Sequence, residues 1–271
     1  MHEIQPGQSL ALLKELHILT RDGKMNQDSR RKLKQVNHLV QFIEPLLLTL
    51  LDTQPAISLV DHGAGKSYLG FLLYDLFFKM RADASHIYGI ETRAELVQKS
   101  TQLASELGFA RMTFLNLSVA QSIASPLLPL TVDVVTALHA CDTATDDAIA
   151  FALHRQARFI VLVPCCQAEV ASFLKKNKSA PGPTTSLSEL WRHPLHTREF
   201  GSQVTNVLRC LQLEAHGYQV SVTELVGWEH SMKNELIIAK RMQVPQKRQA
   251  QRLLEVLEEL GLEALKTRFF A

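Results

Sequence analysis

Nowhere does the chain hold the roughly 18 to 20 consecutive uncharged apolar residues needed to cross a bilayer; its richest apolar run, Pro45 to Leu51, is far shorter. The opening residues, MHEIQPGQSLALLKELH, lack the basic-then-apolar order of a secretory signal, so a cytoplasmic protein is expected. Cysteine is scarce: Cys141, Cys165, Cys166 and Cys210 are the only four in 271 residues. Set in apolar or strand-like surroundings, they look unlike the framework of a small secreted domain, and reduced thiols are expected. The C-x-x-C spacing of structural zinc sites is missing and adjacent Cys165 and Cys166 are awkward ligands, so no metal is expected. A large excess of one charge is missing too. A formal net charge of +2 excludes a strongly basic polyanion binder. Basic residues do gather locally, at Arg30, Arg31, Lys32 and Lys34, at Lys175, Lys176 and Lys178, and at Lys240, Arg241, Lys247, Arg248 and Arg252. Taken singly, each cluster reads as solvated surface. With no internal repeat, and with 46% apolar against 21% charged residues, the chain has the composition to fold around one generous core.

What is present first is helical periodicity. Leu10, Leu13 and Leu16 fall at helical spacing, and after the turn-like RDGK the pattern resumes with Leu33, Val36, Val40, Ile43 and Leu47. Pro45 is expected to kink or divide that second helix. Residues 1–52 therefore read as an N-terminal helical extension. From Ala56 onward short apolar strands (AISLVD, HIYGIE, MTFLNL, TVDVVTALHA, RFIVLVPCC) alternate with helical segments, an order that needs crossover connections and so predicts a mostly parallel sheet with helices on both faces. Residues 177–188, rich in Pro, Gly, Ser and Thr, read as a loop. The last two strands, YQVSVTEL and ELIIAK, lie too close for a helical crossover and predict an antiparallel hairpin. The fold class expected is α/β: a doubly wound, Rossmann-like, mostly parallel seven-stranded sheet over 53–241. An amphipathic C-terminal helical tail, with Leu253, Leu257 and Leu260 on one stripe, occupies 242–271.

The sharpest local signal is LVDHGAGKSYLGFLL. An apolar strand ends at Asp61 and His62, and Gly63 and Gly65 turn the chain into a helix; glycine there permits positive φ and a close approach of backbone to ligand. A phosphate loop fails, because the glycine it needs five residues before Gly65 is Val60. A dinucleotide fingerprint fits poorly, since its third glycine falls at Tyr68. Asp61 is better explained by a cofactor with a positive amino group. Glu91, ending the second strand, suits a ribose diol, and Asn116 and Leu117, ending the third, fall near the base of such a cofactor. The fourth and fifth strands end in ALHACDTATDD and LVPCCQ, which places His139, Cys141 and Asp142 beside Cys165, Cys166 and Gln167 on the substrate side of the crevice. Each cysteine there reads equally as a pocket-lining or a packing residue.

The set DHGAGKSYLGFLL, LHACDTATDDAI, VLVPCCQ and WEHSMKNELIIAK resembles the methyltransferase domain of methyltransferase-like proteins of the domain 32 type. LHACDTATD and PCCQ are also similar to elements of a eukaryotic tRNA ribose 2′-O-methyltransferase, from which Asp142, Gln167 and Ala168 depart. The resemblance implies S-adenosylmethionine as cofactor, held by Asp61, His62, Gly63, Gly65, Tyr68, Glu91, Asn116, Leu117 and His139. It sets His139 and Cys141 close to the transferable methyl, with Asp142, Cys165, Cys166, Gln167 and His230 around the acceptor. His139 and His230 are the alternatives for a general base. Structured RNA, tRNA or rRNA, is the expected acceptor and partner. A protein or small-molecule acceptor, and a non-catalytic binding module, stand as the other readings.

Overall fold

The protein is described from a computed structural model, which covers residues 4–138, 140–165, 167–178, 186–225, 235–242 and 247–270. The predicted N-terminal periodicity forms α1 (Leu10–Glu15) and α2 (Gln27–Leu51). Each starts on a polar cap: Ser9 accepts a hydrogen bond from the Leu12 amide and Asn26 one from the Ser29 amide. Pro45 does not divide α2, which runs through it as one helix of 25 residues. The ring removes one backbone donor, but Ile43, Leu47 and Leu50 lie fully buried in one apolar cluster, so packing keeps both halves helical.

The alternating segments form β1 (Ser58–His62), α3 (Tyr68–Leu73), β2 (His86–Glu91), α4 (Ala94–Glu106), β3 (Met112–Asn116), α5 (Val119–Ala124), β4 (Val134–Ala137), α6 (Thr143–His154), β5 (Phe159–Leu162) and α7 (Glu169–Lys178). A long α8 (Pro194–Ala215), β6 (Tyr218–Glu224), β7 (Glu235–Arg241), α9 (Lys247–Glu259) and the short α10 (Lys266–Phe269) complete the order. The helix expected after the glycine turn is α-helical only to Leu73; Tyr74–Phe78 continues as a π turn.

The seven described strands make one sheet in the order β3-β2-β1-β4-β5-β7-β6. Strands β1 to β5 are parallel, and β7 runs antiparallel to both β5 and β6, as the short hairpin spacing predicts. One face packs on α1 to α4 and the other on α5, α6 and α8, so the central strands β1, β4 and β5 are apolar on both faces. A third cluster joins α7, α8, α9 and α10, seating the tail through Leu253, Leu257 and Phe269. No helix among the described residues is long and apolar enough to cross a membrane.

Sheet order positions the site. Successive connections leave β1 in opposite directions, so a crevice opens where β1 and β4 separate, outside their carboxyl ends. Register brings Asp61 level with Gly89 and Thr136, Glu91 level with Asn116, and Ala137 level with Leu162.

Candidate functional site

Gly63 and Gly65 carry the chain from β1 into α3 with φ of +68° and +59°. A Cβ on Gly63 would stand 3.5 Å from Ala140 Cβ, and one on Gly65 3.8 Å from the Arg93 guanidinium. Backbone conformation therefore selects glycine first, and a long side chain at Gly63 would also run into the β4–α6 turn. Ser67, which starts α3, is left-handed as well, with φ 50° and ψ 40°.

Asp61 backs the turn. Its carboxylate accepts from Thr136 Oγ1 at 2.9 Å and Ser67 Oγ at 3.3 Å, and burial pushes its pKa up to about 6 against those hydrogen bonds. His62 points to the other face of the sheet, 5.3 Å from the Phe151 ring between centroids. Only 5% exposed, it has no hydrogen-bond partner on either ring nitrogen among the described residues. Burial holds its pKa down to about 4, opposed by the charge of Glu91, so the ring is neutral at pH 7.

Glu91 closes the rim. Its Oε2 accepts from the Gly65 amide (2.9 Å) and Arg93 Nη2 (3.0 Å); its Oε1 accepts from the Thr92 and Arg93 amides (2.9 and 3.1 Å). Burial alone would raise its pKa, but Arg93 and the amides outweigh it and hold the carboxyl at about 2. Asn116 Nδ2 donates to the Glu91 and Thr92 carbonyls and braces that turn, while Leu117 packs half-buried beside it. The Tyr68 hydroxyl donates to the Leu16 carbonyl at 2.9 Å, tying the N-terminal arm to the first turn of α3.

Asp61, Gly63, Ala64, Gly65, Lys66, Tyr68, Leu69 and Leu138 line a cleft of about 120 Å³. Small-molecule pockets usually measure roughly 300 Å³ or more, so this cleft has room for one part of such a ligand.

On the far side of the crevice the exposed Cys141 lies with its Sγ 3.3 Å from that of Cys165. Asp142 is the N-cap of α6 by position but caps α7 instead: its Oδ1 accepts from the Ala168 and Glu169 amides at 2.9 and 3.3 Å. It does so at a backbone conformation, φ 52° and ψ −122°, that non-glycine residues rarely adopt. Gln167 is buried, donating to Asn206 Oδ1 and accepting from Ser202 Oγ. His139, Cys166 and His230, with the rest of 226–234, lie outside the described residues.

Sequence reasoning missed the buried network beneath these turns. Arg209, wholly buried on α8, holds both carboxylate oxygens of Asp146 at 2.7 and 2.9 Å and donates to the Asp142 carbonyl at 2.8 Å. It reaches Asn206, which donates in turn to Glu235 of β7. A lone arginine inside the apolar run NVLRCLQL was the available signal, because a buried cation requires a partner.

A glycine cradle at the switch point of this sheet, an acid behind it, a second acid on the β2 rim and an antiparallel last strand define a class I S-adenosylmethionine-dependent methyltransferase domain. The chain's groups are of the kind that cofactor needs: positive-φ glycines leave room for a close backbone approach, and Asp61 and Glu91 set one carboxylate behind the turn and one on its rim. Residues 31–172, just over half of the chain, match the family described as "Methyltransferase domain", and the chain belongs to that family.

Among curated proteins, the chain is 26% identical over 239 residues to the glutathione S-transferase C-terminal domain-containing protein of Mus musculus, covering 82% of this chain and 35% of that protein. The Drosophila melanogaster homolog is 23% identical, with 78% and 36% covered. The chain thus spans about a third of the length of these relatives. Among solved structures, the magnesium protoporphyrin IX methyltransferase of Synechocystis PCC 6803 with bound SAH is similar at 16% identity and a TM-score of 0.46, over 85% of this chain and 94% of that one.

Proposed function

We propose that the chain transfers the methyl group of S-adenosylmethionine to structured RNA, a tRNA or rRNA. What supports this reading is the resemblance of LHACDTATD and PCCQ to elements of a tRNA ribose methyltransferase, together with the described parts of those segments, Cys141 and Asp142 after β4 and Cys165 and Gln167 after β5. When bound, the cofactor supplies an electrophilic methyl on a sulfonium that is itself a good leaving group. The chain supplies alignment. Asp61 faces the ammonium end, and Glu91 accepts from the ribose diol once the largely exposed Arg93 side chain releases it. The missing Cβ at Gly63 keeps the space in front of Ala140 open, where an added Cβ would stand 3.5 Å from Ala140 Cβ. Asp142 and Gln167 act as positioning residues, since their polar atoms are committed to α7 and α8. The base for a hydroxyl acceptor falls to His139 or His230.

The test is a labelled-methyl assay offering total RNA, total protein and metabolite extracts in parallel, with label in RNA as the expected result and label confined to protein or metabolites as the refutation. Gly63→Arg should abolish donor binding in a calorimetric titration by filling the crevice. Glu91→Ala should weaken it by about 1–3 kcal/mol, roughly 5- to 150-fold in Kd, through lost ribose hydrogen bonds.

A further inference from the structure

Two thiols meet on the acceptor side of the crevice in an arrangement that packing does not explain. Cys141 is exposed, so it fills no core, and its Sγ lies 3.3 Å from Cys165 Sγ on the neighbouring turn. The two turns leave adjacent parallel strands, β4 and β5, which remain bonded at their ends through the Val163 amide and Ala137 carbonyl. Asp142 and Arg209 lock the turns together from below, holding the approach of the two sulfurs as part of the fold. A bond needs the sulfurs to close from 3.3 Å to about 2.05 Å, a rotamer-scale movement.

We infer that Cys141 and Cys165 form a thiol–disulfide exchange site, a dithiol that a low-molecular-weight disulfide such as oxidised glutathione converts into an intramolecular disulfide. The exposed Cys141 gives up its proton and attacks one sulfur of the oxidant, whose S–S bond breaks and releases one thiol. Cys165, half-buried directly behind, then loses its proton and attacks the Cys141 sulfur of the mixed disulfide, forming the new S–S bond and expelling the second thiol. Two protein thiols are oxidised, one external disulfide is reduced, and the two protons end on the released thiols. Cys210 offers the internal contrast: on α8, burial and the nearby Glu235 push its pKa up to about 12, which suppresses the thiolate that exchange requires.

The experiment equilibrates the full chain with reduced and oxidised glutathione over a range of ratios, quenches with acid, and reads intact mass and digested peptides. The expected product is lighter by two hydrogens, retains no glutathione, yields a linked peptide pair containing Cys141 and Cys165, and reverts with dithiol reductant. Cys165→Ser should instead trap glutathione on Cys141, because the resolving thiol is gone, and circular dichroism of that variant checks that it is folded. A wild-type protein that keeps a stable glutathione adduct, links Cys141 to Cys166 or Cys210, or stays fully reduced across the range would overturn the assignment.

Discussion

A neutral histidine ring occupies the position between Asp61 and the glycine turn, and its physics is that of an ionisable group forced to stay uncharged. Because the folded pKa of His62 lies at about 4, below the ordinary 6.5, the unfolded chain binds a proton that the fold refuses. Stability is therefore whole above pH 6.5 and drains as pH falls toward 4, by about 3 kcal/mol for a shift of this size. Asp61 works in the opposite sense: its pKa is raised to about 6, so its charge costs stability above the ordinary carboxylate range and protonation relieves that cost as pH falls through 6. His62→Leu separates the two. It removes a ring donor and acceptor left without partners and should stabilise the protein at pH 7 by about 1–3 kcal/mol. Denaturant melts of the variant should also lose the acid decline between pH 6.5 and 4; a decline unchanged from wild type would place that titration elsewhere.

At the scale of elements, the end of β4 is tied to the start of α7 and to α8 by Asp142 and Arg209. Arg209→Ala should destabilise by about 3–5 kcal/mol, because Asp146 is left as an uncompensated buried carboxylate, and thermal melts read this directly. The double change Arg209→Met with Asp146→Leu should recover most of the loss, which a role in bulk packing alone would not do. The sequence made the five parallel strands and the antiparallel hairpin legible, because buried strands are short apolar runs and a hairpin leaves no room for a crossover. The Gly63–Gly65 turn, Asp61 and Glu91 were legible for the same local reason: each sits where a strand ends. Long-range partnerships were not. Local periodicity does not say that Asp142 caps α7 rather than its own helix, that Arg93 covers Glu91, or that Arg209 finds Asp146 at a separation of 63 residues. Of the two outcomes local propensity allowed at Pro45, a kink or a division, the division does not occur, because packing on the core keeps the helix continuous.

For the whole molecule, a net charge of +2 means that the proposed RNA acceptor would have to be gripped by clustered cations rather than by overall charge. Arg30, Arg31 and Lys32 are exposed at the start of α2, and Lys247, Arg248 and Arg252 are exposed on α9; the two helices rest on separate apolar clusters. Reversing Arg30, Arg31 and Lys32 to glutamate should lower RNA methylation by at least about tenfold near 0.15 M salt and flatten its salt dependence, while donor binding holds. Methyl incorporation at two ionic strengths, with a donor titration on the same samples, checks both halves, and unchanged methylation would remove α2 from the RNA-binding surface. The N-terminal arm is also stitched to the helix that leaves the glycine turn, at Tyr68 Oη to the Leu16 carbonyl and at the Ser9 amide to the buried carboxylate of Asp75. Arm and cradle are therefore not interchangeable parts: a chimera that grafts a foreign leader onto β1 would inherit the glycine turn but lose both fastenings of its first helix.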